Sequence, residues 1–182
     1  MTQQLVGSGL VAGTWTIDPS HSTVGFTVRH LMSKVRGTFT DFSGTIVTTD
    51  DALASTIEVA ITSASITTNN EQRDGHLRST DFFDAEAGQQ LVFVSTGVTA
   101  TDDGHLISGD LTINGRTRPV ELAAEFLGVA VDAYGVTRLG AEATTSISRK
   151  EFGVDFNVPL EGGKLLIGDK IDISLEIEAV LS

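Results

Sequence analysis

The chain has 182 residues, 40% of them apolar and 20% charged, which is the composition of a folded domain able to bury a core. Its 24 acidic residues against 12 basic ones give a formal charge of −12, which argues against a nucleic-acid partner and against docking on an anionic membrane through net charge. With no cysteines, disulfides, thiol chemistry and cysteine-ligated metals are excluded.

Residues 1–15 (MTQQLVGSGLVAGTW) have no basic stretch leading into a long apolar run, so no secretory leader is read there and a cytoplasmic location is expected. No stretch approaches the ~18 apolar residues of a spanning helix. Aromatic content of 6% is low for the girdles of a transmembrane barrel. The expectation is one domain over 1–182, with 1–12 a flexible N-terminal segment and Trp15 a plug at one barrel end.

From residue 22 the pattern has period two. Ser22, Val24, Phe26, Val28 and His30 share one face, and Thr23, Gly25, Thr27 and Arg29 the other, as in a strand with one buried side. Residues 35–48 continue it, but the apolar set shifts from odd (Val35, Gly37, Phe39) to even (Phe42, Gly44, Ile46) at Asp41, which predicts a β-bulge. Ile57, Val59 and Ile61 then alternate with Glu58, Ala60 and Thr62.

Residues 69–84 (NNEQRDGHLRSTDFFD) break the pattern. Thr68-Asn69-Asn70-Glu71 fits a capping box, so a helix over 69–79 is predicted, weakened by Gly75. Strands resume at 91–99, and Asp102-Asp103-Gly104 is turn chemistry. Asn114-Gly115 predicts a type I′ hairpin between 106–113 and 116–126, with Pro119 where no ladder donor is needed. Tyr134-Gly135 marks another turn before 137–148, and Ser148-Arg149-Lys150-Glu151 is a second, shorter capping-box match. An apolar loop with a Gly-Gly hinge, 158–168, precedes the last strand. There Ile171, Ile173, Leu175, Ile177, Ala179 and Leu181 face one way.

About eight long antiparallel strands with one polar insert predict an all-β fold, an extended eight-stranded β-barrel of lipocalin-like form with a short helical cap. Eight strands leave an interior that side chains fill or that holds one small ligand. Gly25, Gly37, Gly44, Gly97, Gly109 and Gly140 fall inside strand-like runs, either as bends at barrel corners or as interior space. Strand parity assigns the inner wall to Val24, Phe26, Val28, Phe39, Phe42, Ile46, Ile57, Val59 and Ile61, with Ile173, Leu175 and Ile177 opposite. Strands of this length suit an extended apolar chain better than a compact ring.

Polar candidates for a ligand's head group are few. Arg29, His30, Lys34 and Arg36 form the densest basic stretch, and alternation turns His30 inward; the other reading is a solvated hairpin. Arg73, Asp74 and His76 sit on the insert, either bordering a head group or satisfying loop groups while Phe82 and Phe83 plug the barrel end. His30, Arg36, Arg73, Asp74 and His76 are therefore the head-group or mouth set. The four histidines, His21, His30, His76 and His105, lack close metal-ligand spacing, and no metal is expected. No G-x-S-x-G elbow, phosphate loop or dinucleotide fingerprint occurs, and Asp18, Ser20 and His21 are too local for a triad.

Several ordered motifs resemble the YceI-like, polyisoprenoid-binding family. They are Trp15-Thr-Ile-Asp-Pro-Ser-His21-Ser22, Phe26-Thr-Val-Arg-His30, and Val35-Arg-Gly-Thr-Phe39 with Phe42 and Gly44 following. Arg73-Asp74-x-His76-Leu77-x-Ser79-x-Asp81-Phe82-Phe83-Asp84, Gly109 to Val120, and Ile147-x-Arg149-x-x-Phe152-Gly153 continue the match. The resemblance covers 13–181 and implies a lipocalin-like barrel whose tunnel holds a long isoprenoid or similar amphiphile, commonly in a homodimer. Many relatives are periplasmic, and this N-terminus, without a leader pattern, departs from them. The expected function is non-enzymatic carriage or storage of a polyprenyl, quinone-like or prenyl-phosphate lipid, with no cofactor besides that ligand and with transient membrane contact. An enzyme using an inward histidine on a small apolar substrate, and a ligand-free structural barrel, stand as alternatives.

Overall fold

A computed structural model describes residues 9–85 and 88–182. Eleven strands follow the alternating runs: β1 (Gly13–Ile17), β2 (Thr23–His30), β3 (Ser33–Phe39), β4 (Phe42–Thr48), β5 (Thr56–Thr62), β6 (Ile66–Thr67), β7 (Gln90–Thr101), β8 (Gly104–Ile113), β9 (Arg116–Val131), β10 (Thr137–Ser148) and β11 (Ile167–Leu181). One short helix, α1 (Glu71–Leu77), lies in the insert. All pairings between named strands are antiparallel, and β1 pairs with both β4 and β11, which closes the sheet.

The eleven strands fill eight positions around the barrel. β1 with β2, β3 with β4, and β5 with β6 each share one position, broken by short turns at Pro19–His21, Thr40-Asp41 and Ser63–Ser65. The phase shift read at Asp41 is thus a break between strands rather than a bulge. Its loose backbone groups are taken up across the gap, where Thr40 N–H donates to Ser65 O at 3.3 Å and Asp41 O accepts from Thr62 N at 2.9 Å. True register shifts occur instead at Ser95/Gly97, at Gly140/Ala141, and between Ile167 and Ile171.

Two of the strand glycines have a role that neither expectation covered. A Cβ at Gly37 would meet the Phe26 ring at 2.3 Å, and one at Gly109 would meet the Phe93 ring at 2.4 Å. These glycines are seats for large side chains on the neighbouring strand, which is how a small barrel accommodates aromatic rings in its wall.

The Asn114-Gly115 hairpin forms as read, with φ of 52° and 73° at its two turn residues. β9 pairs with β10 only over Ala123–Val131, so Pro119 faces no acceptor on that side. Near the same end β9 and β10 part, and the turn Arg149–Phe152 packs there with Phe152 and Val154 fully in the core. Ser148 caps nothing, contrary to the second capping box, because its hydroxyl donates to Asp169 Oδ2 at 2.6 Å.

The first cap is also displaced. Asn69 has φ of 60°, which is incompatible with a helical start there, and Asn70 is the N-cap, its Oδ1 accepting from Arg73 N at 2.9 Å. α1 therefore ends at Leu77, short of Ser79. Of the segment expected to be flexible, 1–8 lie outside the described residues, while Leu10 packs on the core and Val11 O accepts from the Thr48 hydroxyl at 2.6 Å.

The core closes one end of the barrel. Trp15 is 0% exposed, and its indole N–H donates to Thr48 Oγ1 at 2.9 Å. Ile17, Leu139 and Ala179 pack there as well. At this end lie the β4–β5, β7–β8 and β9–β10 connections. The insert, the β2–β3 and β8–β9 hairpin tips and loop 153–166 gather at the other.

Candidate functional site

Inward-facing residues of every barrel position enclose a cavity of about 440 Å³, within the usual range of ligand pockets. Its wall is aliphatic and aromatic. Val24, Phe26, Val28, Phe39, Phe42, Ile46, Ile57, Val59, Ile61, Ile173, Leu175 and Ile177 all line it, so parity puts these twelve side chains on one continuous surface. The lining runs along β11 from Ile167 to Ile177. At ~3.3 Å per residue that is roughly 33 Å of strand, or about 25 Å of tunnel at a strand tilt of ~35–45°.

Polar side chains reach the cavity mainly at the open end. His30 does, from the last position of β2, and Arg73 and His76 do from α1. Arg36 does not, because its neighbours Val35 and Gly37 take the inward parity and it stands exposed on the outer face of β3.

Asp74 is not brought to the cavity either. It is buried under the insert, where it accepts from Thr68 N at 2.8 Å, from the Thr68 hydroxyl, and from the Thr67 hydroxyl at 3.3 Å. Burial opposes its ionisation. The Thr68 and Thr67 donors and the field of Arg78 outweigh that cost, and its pKa lies below the ordinary value.

Asp74 and Arg78 thus fasten the cap. Arg78 donates to Ala64 O at 2.8 Å and Ile66 O at 2.9 Å. Arg73 holds Thr68 through Nε–H to Oγ1 at 2.7 Å and Nη2–H to the carbonyl at 3.0 Å. His76 stands edge-on to Phe82 and Phe156, with ring centroids 5.1 and 4.8 Å away, and its Nε2 lies 2.8 Å from Asp81 Oδ2. Phe82 is buried as the expected plug, and Phe83 packs edge-on to Phe39.

Arg149 is the polar residue that sequence reasoning missed. It is buried and lines the cavity. Its guanidinium donates to the carbonyls of Gly168 and Val154 at 2.8 Å, Phe156 at 2.9 Å and Ile167 at 3.3 Å. Burial lowers its pKa, against the opposing fields of Asp169 and Asp155, and carbonyl dipoles supply its nearest counter-charge. Phe156, Val158 and Leu166 of the same loop also line the cavity. The wall formed by Leu91 and Phe93 on β7 and by Ile107, Leu111 and Ile113 on β8 was readable from the same alternation, but was not assigned.

The local Asp18-Ser20-His21 group makes no relay. Ser20 Oγ and Asp18 Oδ2 both meet His21 Nδ1, at 3.1 and 2.7 Å, so the ring does not stand between nucleophile and carboxylate. Asp18 is instead held well below the usual carboxylate range by bonds from Ser20, Arg138 and His21. His105, on β8, is half-buried.

The strands thus form a closed antiparallel barrel with one sealed end, one capped end and an apolar tunnel between them. The YceI-like domain family matches residues 15–179, and the chain belongs to that family. It is 37% identical over 174 residues to Protein YceI of Escherichia coli, covering 93% of this chain and 88% of that one. The crystal structure of Burkholderia cenocepacia BcnA has the same fold, with a TM-score of 0.75 at 20% identity over 89% of this chain and 98% of that one. A structure described as a polyisoprenoid binding domain from Saccharophagus degradans shares it too, with a TM-score of 0.66 at 14% identity over 94% and 99% of the two chains.

Proposed function

We propose that the protein is a non-enzymatic carrier or store for a long-chain isoprenoid or related amphiphile, whether polyprenyl, quinone-like or prenyl phosphate. One observation carries this reading: the tunnel wall is apolar from Ile177 to Ile167, and cationic or imidazole side chains cluster at one end only. That asymmetry fits a molecule with a long tail and a single polar head. Arg73, His30, His76 and Arg149 are positioned to meet the head. The description of the Saccharophagus degradans domain agrees with a prenyl tail. A prenyl chain drawn from a bilayer moves between two apolar surroundings, so its transfer is close to neutral and head contacts set the choice of lipid. The same proposal includes a cytoplasmic location and a homodimer.

The test is native mass spectrometry of gently purified protein, followed by solvent extraction and identification of what is released. A stoichiometric prenyl lipid is expected, and it is expected to be lost in Val28→Asp protein that keeps the β circular-dichroism spectrum. Added ligand at about 100 times its dissociation constant is expected to stabilise the barrel by ~2.7 kcal/mol. An empty barrel indifferent to quinones, prenyl phosphates and fatty amides would overturn the reading.

A further inference from the structure

We propose that the tunnel mouth is a docking face for an anionic phospholipid bilayer, led by the Leu31-Met32 tip of the β2–β3 hairpin; this rests on the lipid-binding reading above. The tip is the first observation. Leu31 has φ of 53°, and of the two turn residues only Leu31 is left-handed, a combination that favours glycine at that position. A bulky residue there is strained, yet Leu31 is 51% exposed and Met32 95% exposed. The chain keeps an apolar side chain where glycine fits the backbone better and gains no core packing from it.

The second observation is continuity with the tunnel. Leu31 N–H donates to Leu166 O at 2.9 Å, which ties the tip to loop 153–166. Val158 and Leu165 of that loop are exposed, and Val158 and Leu166 also line the cavity. Exposed apolar side chains therefore stand both on the tip and on the loop that is bonded to it and lines the tunnel.

The third is charge. No carboxylate occurs between Asp18 and Asp41, and Arg29, Lys34 and Arg36 stand exposed around the tip, with Lys164 on the loop. Asp155 and Glu161 share that loop, and Asp172 lies close enough to Lys34 to feel its charge. At the far end Arg138 is the one Lys or Arg among the described residues, whereas the turns there carry Asp50, Asp51, Asp102, Asp103 and Asp132.

The insert at the same end adds Glu71, Asp81 and Asp84, so the basic face is that of the β2–β3 hairpin; an anionic surface attracts that hairpin and repels the far end. The exposed Val131 and Tyr134 at the far end flank Asp132, so they do not suit such a surface. A second copy is also a poor occupant of the mouth, because two-fold pairing would set Arg29, Lys34 and Arg36 near their own copies.

Flotation of the full chain with phosphatidylcholine vesicles, with and without phosphatidylglycerol, tests the proposal. Binding is expected on the anionic vesicles and is expected to weaken with salt. Leu31→Gly/Met32→Ser protein is expected to match or exceed the wild-type Tm and keep its extracted lipid but lose flotation. Lys34→Gln is expected to weaken binding about fivefold, and Tyr134→Ser to leave it unchanged.

Wild-type protein that ignores anionic vesicles at low salt would overturn the proposal. So would a double variant that floats like wild type, or a tip whose removal changes only the sedimenting mass. Flotation of wild-type protein that yields and accepts no lipid would sustain docking while sinking the tunnel reading, so the two fail separately.

Discussion

The two ends of the barrel solve opposite problems with the same strands. At the far end the strands run to tight Asp-rich turns, and Trp15 fills the bore with its one polar atom paired to Thr48. At the mouth β9 and β10 part, the insert replaces strand pairing, and arginine and aspartate hydrogen bonds together with edge-on ring contacts hold the cover in place. The seal uses apolar volume, which is insensitive to pH and salt. The cap uses Asp74, Arg73 and Arg78 against backbone groups, a directional arrangement that can be released by breaking a few bonds. A tunnel closed by a packed core at one end and by polar latches at the other would, on the proposed function, take its ligand from the latched side.

The largest effect should come from breaking the seal. Trp15→Ala removes a fully buried side chain and leaves Thr48 without its indole donor, and a cost of about 3–5 kcal/mol is expected. In a chain of this length that is a fall in Tm of roughly 10 °C, read by thermal denaturation.

Next is the latch. Asp74→Asn keeps the shape but offers an amide to the Thr68 and Thr67 donors, costing about 1–3 kcal/mol. Because the folded-state pKa of Asp74 is lowered, its contribution is present above the ordinary value of 3.8 and is lost as pH falls through the folded value. Denaturation at pH 7 and at strongly acid pH should therefore show a gap between wild type and variant that narrows in acid. A gap independent of pH would mean that Asp74 acts through packing alone.

The barrel wall was legible in the sequence because strand parity is a local property. Val24, Phe26 and Val28 are inward for the same reason that Ile173, Leu175 and Ile177 are, and no knowledge of their neighbours was required. The mouth was not legible in this way. Arg149 is drawn inside by carbonyls of residues 154–168, which approach only after the loop folds back, and that loop has no periodicity to read. The capping box failed because Thr68 spends its hydroxyl on Asp74, a tertiary contact that outcompetes the local cap. Arg36 was grouped with His30 by proximity in sequence, though one-residue alternation puts it on the outer face. Segregation of charge was hidden as well, since net charge carries no information on which turns meet at which end.

The smallest expected effect concerns Arg138 at the sealed end. Arg138 donates to Asp18 Oδ2 and Asp132 Oδ2 at 2.8 Å each and lies 3.6 Å from Glu178, so it spans three carboxylates. These groups are partly exposed, and solvent screening makes the loss in Arg138→Gln smaller than that in Asp74→Asn. Its signature is conditional rather than large. Asp18 is held below its ordinary pKa partly by Arg138, so this stabilisation is present above 3.8 and disappears as pH falls through the folded value. The variant should therefore approach wild-type Tm in acid. At ~1 M salt the gap should narrow only in part, because the two 2.8 Å bonds lie within the ~3 Å screening length and only the Glu178 oxygen, at 3.6 Å, lies beyond it. Vesicle flotation should be unchanged or slightly weakened, because the change makes the far end more anionic without touching the mouth. A variant that floats much less than wild type would show that the two ends communicate through the barrel, and the separation between a passive seal and an active mouth would have to be abandoned.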